Sequence, residues 1–354
     1  MIKKMNLLAI LLLSVMVMFT VSCEGPAGED GAAGADGADG ADGMDGVDAN
    51  AFCVDCHSQA NWDEITGLYA ISGHANPGGL GYAGGRGGCA RCHSAEGFED
   101  YLAGYEGVDL PEKTALSCES CHGNHTTLEE GVAAPMATME AIKLIVDETT
   151  MADFGDASNL CANCHNSRRN GSYYADVDSM DTDGDGVNDY DIHPDSVYIS
   201  STHAGPHYSA QVNTILGLGG YGTTTSTTHE TVGCVSCHMG AATDTEGGHT
   251  FAPNLANCTE ACHSAVAADF ATWVEGKHDD TKARMEAVAA GLAAAGALID
   301  NGDGTFSLTR VMVHKDVFEA FWNYRVMYQD HSYGVHNPGY YNTMLTTAET
   351  KLGL

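Results

Sequence analysis

The sequence predicts a domain of loops and short α-helices with little β structure, whose interior is filled by bound groups more than by side chains. Aromatic residues make up only 8% of the 354 residues, which is thin for an ordinary core, and 43 residues are glycine. Twelve of the 13 cysteines lie in six close pairs, and a histidine follows each pair at once. The histidine total is 17, an excess over what these pairs use.

The six pairs are typical of c-type haem attachment, because two thiols at C-x-x-C spacing form thioethers with the haem and the next histidine binds its iron. Zinc knuckles and thioredoxin-type pairs do not explain a histidine after every second cysteine. The sequence therefore predicts a multihaem cytochrome c fold, wrapped around a chain of six covalently bound haems. The attachment cysteines are Cys53, Cys56, Cys89, Cys92, Cys118, Cys121, Cys161, Cys164, Cys234, Cys237, Cys258 and Cys262, the last pair having one extra spacer residue. The proximal iron ligands are His57, His93, His122, His165, His238 and His263.

The N-terminal residues 1–22 are predicted to be an export signal. Lys3 and Lys4 precede an apolar run over residues 7–21, which is short for a membrane span. The small residues before Cys23 resemble a bacterial lipoprotein signal, in which that cysteine is lipidated, although Thr20 stands where leucine is usual. The alternative is an ordinary secretory signal with an incidental cysteine.

Residues 23–50 are predicted to be an extended tether. Glycine recurs at every third position from residue 25 to residue 46, as in collagen, but Pro26 is the single proline there. Eight acidic residues and no basic ones lie between Glu24 and Asp48, so three such strands would repel each other. This composition favours a tether over a trimer. The cytochrome domain then spans residues 51–354, with the haem motifs in 53–263 and a helical tail in 264–354.

The charge balance excludes some partners. Lys and Arg number 15 against 48 Asp and Glu, which gives a formal net charge of −33. So few basic residues argue against nucleic-acid binding and against docking on an anionic membrane. We expect contact with a membrane only through the N-terminal lipid.

Eleven histidines remain after the six proximal ligands, and several local patterns resemble those of multihaem c-type cytochromes of anaerobic respiration. The patterns are Ser72-Gly73-His74, Cys121-His122-Gly123-Asn124-His125, Thr202-His203-Ala204-Gly205-Pro206-His207, Gly247-Gly248-His249-Thr250-Phe251 and Asp330-His331-Ser332-Tyr333-Gly334-Val335-His336-Asn337-Pro338. The resemblance implies that the distal iron ligands are His74, His125, His203, His249 and His336. His229 is the sixth choice, and His207 competes with it. His193, His278, His314 and His331 are expected to be structural.

Within this superfamily, cytochrome c nitrite reductases have a C-x-x-C-K motif, which this sequence lacks. In size and ligation it is more similar to extracellular cytochromes that form filaments in metal-reducing bacteria. The resemblance implies an electron carrier with bis-histidine haems rather than an enzyme, exported to the cell surface or beyond, less so to the periplasm. Its partners would be other redox proteins, extracellular electron acceptors or copies of itself. The alternative is a reductase of a small nitrogen or sulfur oxyanion such as nitrite, with Arg168, Arg169 and His207 around an open iron.

An acidic loop predicts a calcium site. Oxygen donors stand at positions one, three, five and nine of an EF-hand-like loop, with glycine at six. The bidentate glutamate at position twelve is missing, and an aspartate one place earlier is the candidate substitute. The alternative is a solvated acidic loop. The ligands would be Asp181, Asp183, Asp185, Val187 through its carbonyl, Asp189 and Asp191.

The tail is predicted to be helical over residues 264–277, 281–299, 315–328 and 342–352, with a turn at 301–304. Aromatic residues on the third helix are expected to pack against its neighbours and to cover a haem.

Overall fold

The computed structural model describes residue 54 and residues 57–125, 135–176, 181 and 193–354. The export signal, Cys23, the tether and the first cysteine pair, Cys53 and Cys56, lie outside the described residues. The same holds for the calcium candidates Asp183, Asp185, Val187, Asp189 and Asp191. None of the helices in the described part of the chain is long and apolar enough to cross a membrane.

The haem-motif region, residues 57–263, is built from short helices joined by loops. Serine or asparagine caps start four of the described helices; Ser94 and Ser117, for example, accept main-chain N–H groups of the first turn. The helices of this region are α1 (Gln59–Ala70), α2 (Leu80–Ala83), α3 (Gly87–His93), α4 (Ala95–Leu102), α5 (Cys118–Cys121), α6 (Ser158–Ala162), α7 (Gln211–Ile215), α8 (His229–Val232), α9 (Val235–His238) and α10 (Leu255–Ala261).

The tail, residues 264–354, has three long helices: α11 (Phe270–Ala294), α12 (Lys315–Asp330) and α13 (Pro338–Leu352). The expected break between residues 277 and 281 is wrong, since α11 runs through it after a 3₁₀ turn over Ser264–Asp269. No proline interrupts this stretch, and Val274 and Met285 on either side of it are both buried. The last predicted helix starts earlier than expected because Asn337 caps it and Pro338 occupies its first turn.

Strands are few and short, as predicted. Residues expected to end the second tail helix instead form an antiparallel hairpin of β5 (Leu298–Asp300) and β6 (Phe306–Leu308), which closes over the predicted turn. A three-stranded antiparallel sheet ties the haem-motif region to the tail: β3 (Ala175–Asp176) pairs with β4 (Ser196–Ile199), and β4 pairs with β7 (Val311–His314). A further pair is β1 (Ile142–Lys143) with β2 (Met151–Ala152).

The main side-chain core lies in the tail. Phe321 and Leu292 are fully buried, and Trp322 is only 1% exposed. In the haem-motif region the buried cluster is small, and its members are Ile142, Leu144, Ala152, Ala162 and Val212. The tail therefore has a conventional core, whereas the haem-motif region does not.

Candidate haem-binding site

The described motifs share one local geometry. In a helical turn, residues i, i+3 and i+4 lie on the same face, so that both thiols and the histidine project together. The N–H of His122 donates to the carbonyl of Cys118, at 2.8 Å, and His165 and His238 make the equivalent bond, at 3.0 Å each. His263 follows a pair with one extra residue, yet its N–H still donates to the first cysteine of its pair, at 3.0 Å. The extra residue is thus absorbed within the turn.

Five motif histidines face a second histidine from elsewhere in the chain. The ring centres of every pair lie between 6.0 and 6.3 Å apart. The pairs, with the motif histidine first, are His57 with His125 (6.0 Å), His93 with His207 (6.1 Å), His122 with His249 (6.2 Å), His165 with His74 (6.1 Å) and His263 with His229 (6.3 Å).

This spacing fits a metal held between the two rings. Bonds from a metal to an imidazole nitrogen are about 2 Å long, so two imidazoles on opposite sides of one iron hold their ring centres about 6 Å apart. His336 lies near His238, the remaining motif histidine, and also near His165. Burial lowers the pKa of His238, its bond to Phe251 opposes that effect, and the nearby His336 lowers the pKa further.

Four of these histidines make a hydrogen bond through Nδ1, which leaves Nε2 free to bind a metal. Each donates from Nδ1 to an oxygen, which places the lone pair on Nε2, where a metal binds it. The acceptors are Asp330 for His336 (2.7 Å), the Phe251 carbonyl for His238 (2.7 Å), the Val335 carbonyl for His229 (2.6 Å) and the Gln211 side chain for His165 (3.4 Å).

Burial keeps several of the imidazoles neutral, which is the form that ligates iron. It lowers the pKa of His74 to about 4, with His165 as a second cause. Burial also lowers the pKa of His93, His207 and His249. His336 differs: burial acts to lower its pKa, but the charge of Asp330 and the hydrogen bond to it raise the pKa overall.

Four of the five histidine pairs, all except His263 with His229, border a cavity of about 2110 Å³ that is lined by residues of the first four motifs, among them His57, Cys92, Cys121 and Cys164. A pocket for one small ligand measures about 300–1,000 Å³. The cavity is therefore large enough for several groups.

Arginine is concentrated around this cavity. The chain has seven arginines, and five line the cavity: Arg86, Arg91, Arg168, Arg169 and Arg325. The lining carboxylates are Asp100 and Glu106, and the ion pair between Arg91 and Glu106 is long, at 3.8 Å.

Arg325 shows what this excess of cations requires. Its side chain is 5% exposed, and burial lowers the pKa of the guanidinium, which donates from Nε to the Ala204 carbonyl at 2.9 Å. No carboxylate of the described residues lies within 4.0 Å of it. A buried cation is costly without an anion. Haem propionates are such anions, so the cavity fits haem in its charge as well as in its thiols and imidazoles.

The structure places the two candidate histidines of one loop differently. Both are exposed and both line the cavity, but His203 lies beside the Thr202 hydroxyl, 3.3 Å from Nδ1, while His207 faces His93. The two histidines are four residues apart, and the choice depends on the backbone: His207 and Tyr208 have positive φ values of 80° and 55°. No pattern in the sequence announces this conformation.

The histidines expected to be structural do not pair with a described motif histidine. His278 packs against Tyr333, with ring centres 5.7 Å apart, and His314 caps α12 by accepting the N–H of Asp316 at 3.2 Å. His331 ends α12 with φ of 61°, and His193 is exposed. Within the described ranges no group of three or more His, Cys, Asp or Glu side chains could hold a metal ion, and the ten described cysteines form no disulfide.

Sequence reasoning missed the residues that orient the ligands. Gln211 and Gln329 carry no recognisable motif role, and the pattern that ends at Phe251 does not show the bond of its carbonyl to His238. Asp330 stands at the start of the last pattern, which signals its importance without showing its bond to His336.

No family model matches the chain, nor does any curated protein. Among solved structures, the crystal structure of the outer cell wall cytochrome OcwA is similar, with a TM-score of 0.50 at 21% sequence identity. The match covers 80% of this chain and 49% of that one, so the chain spans about half the length of the neighbour. At this identity the likeness shows the fold. The chain therefore shares the fold of part of a cytochrome.

Proposed function

We propose that this protein is an exported electron-transfer cytochrome with six haems c, each iron held by two histidines. The observation that carries the proposal is that five motif histidines each face a second histidine, with ring centres 6.0 to 6.3 Å apart, which is the distance expected across one metal ion. Numbering the haems by motif, the ligand pairs are His57 and His125 (haem 1), His93 and His207 (haem 2), His122 and His249 (haem 3), His165 and His74 (haem 4), His238 and His336 (haem 5) and His263 and His229 (haem 6).

Two imidazoles on each iron leave no position for a substrate. Such haems accept and donate single electrons, and the protein sets their potentials through ligation, burial and nearby charge. Here burial and the Nδ1 hydrogen bonds orient the imidazoles, and the cavity arginines supply local positive charge in an acidic chain.

The spacing of the motifs supports transfer between haems. Arg91 of the second motif donates to the carbonyl of Asn163 in the fourth, at 3.0 Å. The N–H of Cys234 donates to Ser158 in the helix of the fourth motif, at 2.7 Å, and the N–H of Asn254, which caps the helix of the sixth motif, donates to the Cys237 carbonyl at 3.2 Å. The second motif therefore lies beside the fourth, the fourth beside the fifth and the fifth beside the sixth.

The first and third haems are also neighbours, through His122 and His125. These residues are three positions apart and serve haems 3 and 1. Adjacent haems are what a continuous path for electrons requires.

The cellular setting we propose is the outer surface of the cell. A lipid on Cys23 would anchor the chain, and the tether over residues 23–50 would hold the cytochrome domain away from the membrane. Its partners would be other redox proteins, extracellular acceptors or further copies in a filament, and calcium would order the loop that begins at Asp181. The similarity to an outer cell wall cytochrome supports an extracellular setting.

Reduction of a small oxyanion is the second candidate, and one observation favours it. Arg168 lies close to both His93 and His207: burial is the first cause of their lowered pKa values and Arg168 the second. A cation beside an iron is what such a reductase needs. However, His207 faces the iron position itself, so the geometry favours electron transfer.

Spectroscopy of the purified protein separates the two functions. We expect six haems per chain, all low-spin by electron paramagnetic resonance, and no turnover of nitrite. His207→Ala should leave one haem of six high-spin, while His203→Ala, the matched control in the same loop, should leave the spectrum unchanged. A substantial high-spin fraction or nitrite turnover in the unaltered protein would overturn the proposal.

A further inference from the structure

The distal ligand proposed for haem 2 lies in an unfavourable backbone conformation. His207 and Tyr208 both occupy the left-handed region, with φ of 80° and 55°. Residues with a Cβ atom adopt this backbone conformation only at an energetic cost, and two successive residues rarely do so unless surrounding contacts hold them there. Contacts from elsewhere in the fold must therefore stabilise this turn.

The contacts come from the last turn of α12. Gln329 is 1% exposed, and its Oε1 accepts the N–H groups of both His207, at 2.9 Å, and Tyr208, at 3.2 Å. A single buried oxygen thus satisfies the two amides of the strained pair. Arg325, one helical turn earlier, donates to the Ala204 carbonyl on the other side of the loop.

The loop is shaped to admit this side chain. A Cβ atom on Gly205 would lie 2.7 Å from Oε1 of Gln329, closer than real Cβ contacts allow. Glycine at this position therefore lets the amide of Gln329 reach the turn. No sequence motif marks Gln329 as the residue that makes this contact.

The C-terminal end of α12 also contacts residues of two further proposed haem sites. The main-chain carbonyls of Gln329 and Asp330 accept from Nε2 of Gln211, at 3.4 and 3.3 Å, and Gln211 accepts from the proximal histidine of haem 4. The Asp330 carboxylate accepts from His336, the distal ligand of haem 5. One turn of helix from the tail core therefore contacts residues of three proposed haem sites.

We propose that Gln329 is the positioning residue that holds His207, and not His203, on the iron of haem 2. The inference rests on the proposed bis-histidine ligation. By satisfying two successive amides, the Gln329 side chain stabilises the left-handed turn that aims His207 at His93. Without these two bonds the turn relaxes and His207 withdraws, which leaves the iron of haem 2 with one histidine.

The test uses the full-length haem-loaded protein and three variants of α12. Gln329→Leu removes the acceptor with little change in size. Gln329→Glu keeps an acceptor oxygen, and Arg325 lies one turn away to pair with the added charge. Tyr328→Phe, at the neighbouring exposed position, is the matched control. The readouts are the high-spin electron paramagnetic resonance signal, carbon monoxide uptake by the reduced protein, haem content and circular dichroism.

We expect Gln329→Leu to retain six haems but to become high-spin at about one of them and to bind about one carbon monoxide per chain, since an iron with one histidine has an open site. Gln329→Glu should restore most of the low-spin signal, and Tyr328→Phe should bind no carbon monoxide. A merely structural role would lower thermal stability without moving the spin state, and so would contradict the proposal.

Three outcomes separate this inference from the proposed function. If the unaltered protein is fully low-spin and Gln329→Leu stays so, the positioning role is wrong and the electron-transfer proposal stands. If the unaltered protein already binds carbon monoxide, the bis-histidine proposal itself fails. If Gln329→Leu assembles fewer than six haems, Gly205→Ala decides, because it disturbs the same contact from the loop: a high-spin haem supports the proposal, and an unchanged spectrum rejects it.

Discussion

The haem-motif region and the tail belong to one domain but are stabilised in different ways. The tail buries large apolar side chains such as Phe321 and Trp322, whereas the longer haem-motif region has a small cluster around Ile142 and Leu144. That region instead lines a cavity with cysteine, histidine and arginine. In the proposed function, haems would supply the missing core in the haem-motif region only.

Helix length shows the same contrast. The longest helix described in the haem-motif region is α1, with 12 residues, against 25 in α11. Isolated helices below about 12–15 residues are marginal in water, so helices such as α5 depend on packing or on covalent attachment to be stable. The tail helices are longer and pack against one another, so they do not need covalent attachment to be stable.

The largest expected effect comes from preventing haem attachment. A chain produced without the attachment machinery should lose protection from amide exchange over residues 57–263, because its core is missing, and should keep partial protection in α12 and α13. Hydrogen–deuterium exchange read by mass spectrometry gives the answer for each peptide. Equal protection of both regions without haem would contradict the contrast drawn above.

The second-largest effect should come from creating a cavity in the tail core. Phe321→Ala removes a fully buried ring and should lower the free energy of unfolding by about 3–5 kcal/mol, while the haem spectrum stays unchanged. Ile299→Ala, at a half-exposed position of the same region, is the control and should cost within about 0.5 kcal/mol. Chemical denaturation measures both. A change of spin state in Phe321→Ala would show that the two regions are not independent.

Asp330→Asn tests the link between the regions. The buried carboxylate accepts from His336 and Tyr341, and its negative charge opposes reduction of the neighbouring iron. Orienting residues of this kind typically change metal affinity by about 10–100-fold. If that factor applies to one redox state, the potential of one haem should rise by about 60–120 mV. Spectroelectrochemical titration measures the shift, and exposed Asp316→Asn should leave all potentials in place.

The pH dependence of stability offers a second test at the same residue. Burial acts to raise the pKa of Asp330, but the charge of His336 and the hydrogen bonds from His336, Ser332 and Tyr341 lower it overall. A lowered pKa stabilises the fold above the unfolded value of about 3.9, and this contribution is lost as the pH falls through the folded value. When the free energy of unfolding is measured as the pH is lowered, the loss of stability that comes from Asp330 should therefore be absent in Asp330→Asn.

The smallest effect concerns the tail surface. Arg284 donates two hydrogen bonds to Glu349, both at 2.7 Å, and so ties α11 to α13 at a partly exposed site. Glu349→Gln should cost about 0.2–1 kcal/mol, and less in high salt, because water and ions screen the pair. Glu275→Gln, exposed on α11, is the control for denaturant unfolding at two salt concentrations. A larger cost would mean that the tail depends on ion pairs more than on its core.

The local part of the site was readable from the sequence. The attachment thiols and proximal histidines lie within one helical turn of each other, so their spacing alone predicts that they meet at one haem. The tail helices were partly predictable: the sequence predicts a helix start at Thr281, where α11 is continuous, and a helix through residue 299, where β5 begins at Leu298.

The second ligand of each iron was only partly readable. Patterns marked His74, His125, His249 and His336 as candidates, but not the motifs that they face. His74 precedes the second motif yet faces His165 of the fourth, and His229 precedes the fifth yet faces His263 of the sixth. These pairings depend on how distant loops fold back.

The sequence by itself determined the chemistry of this protein: six thiol pairs with adjacent histidines, an acidic chain, and more histidines than the proximal sites use. The tertiary structure decided which histidine faces which motif, that His207 faces His93 while His203 does not, and that Gln329 and Asp330 hydrogen-bond to His207 and His336. The physical reason is the separation along the chain of the residues that must meet. The residues of each predicted thioether and proximal site lie within five or six positions, whereas the proposed distal ligands and their supporting contacts join residues up to 122 positions apart, as Gln329 and His207 are.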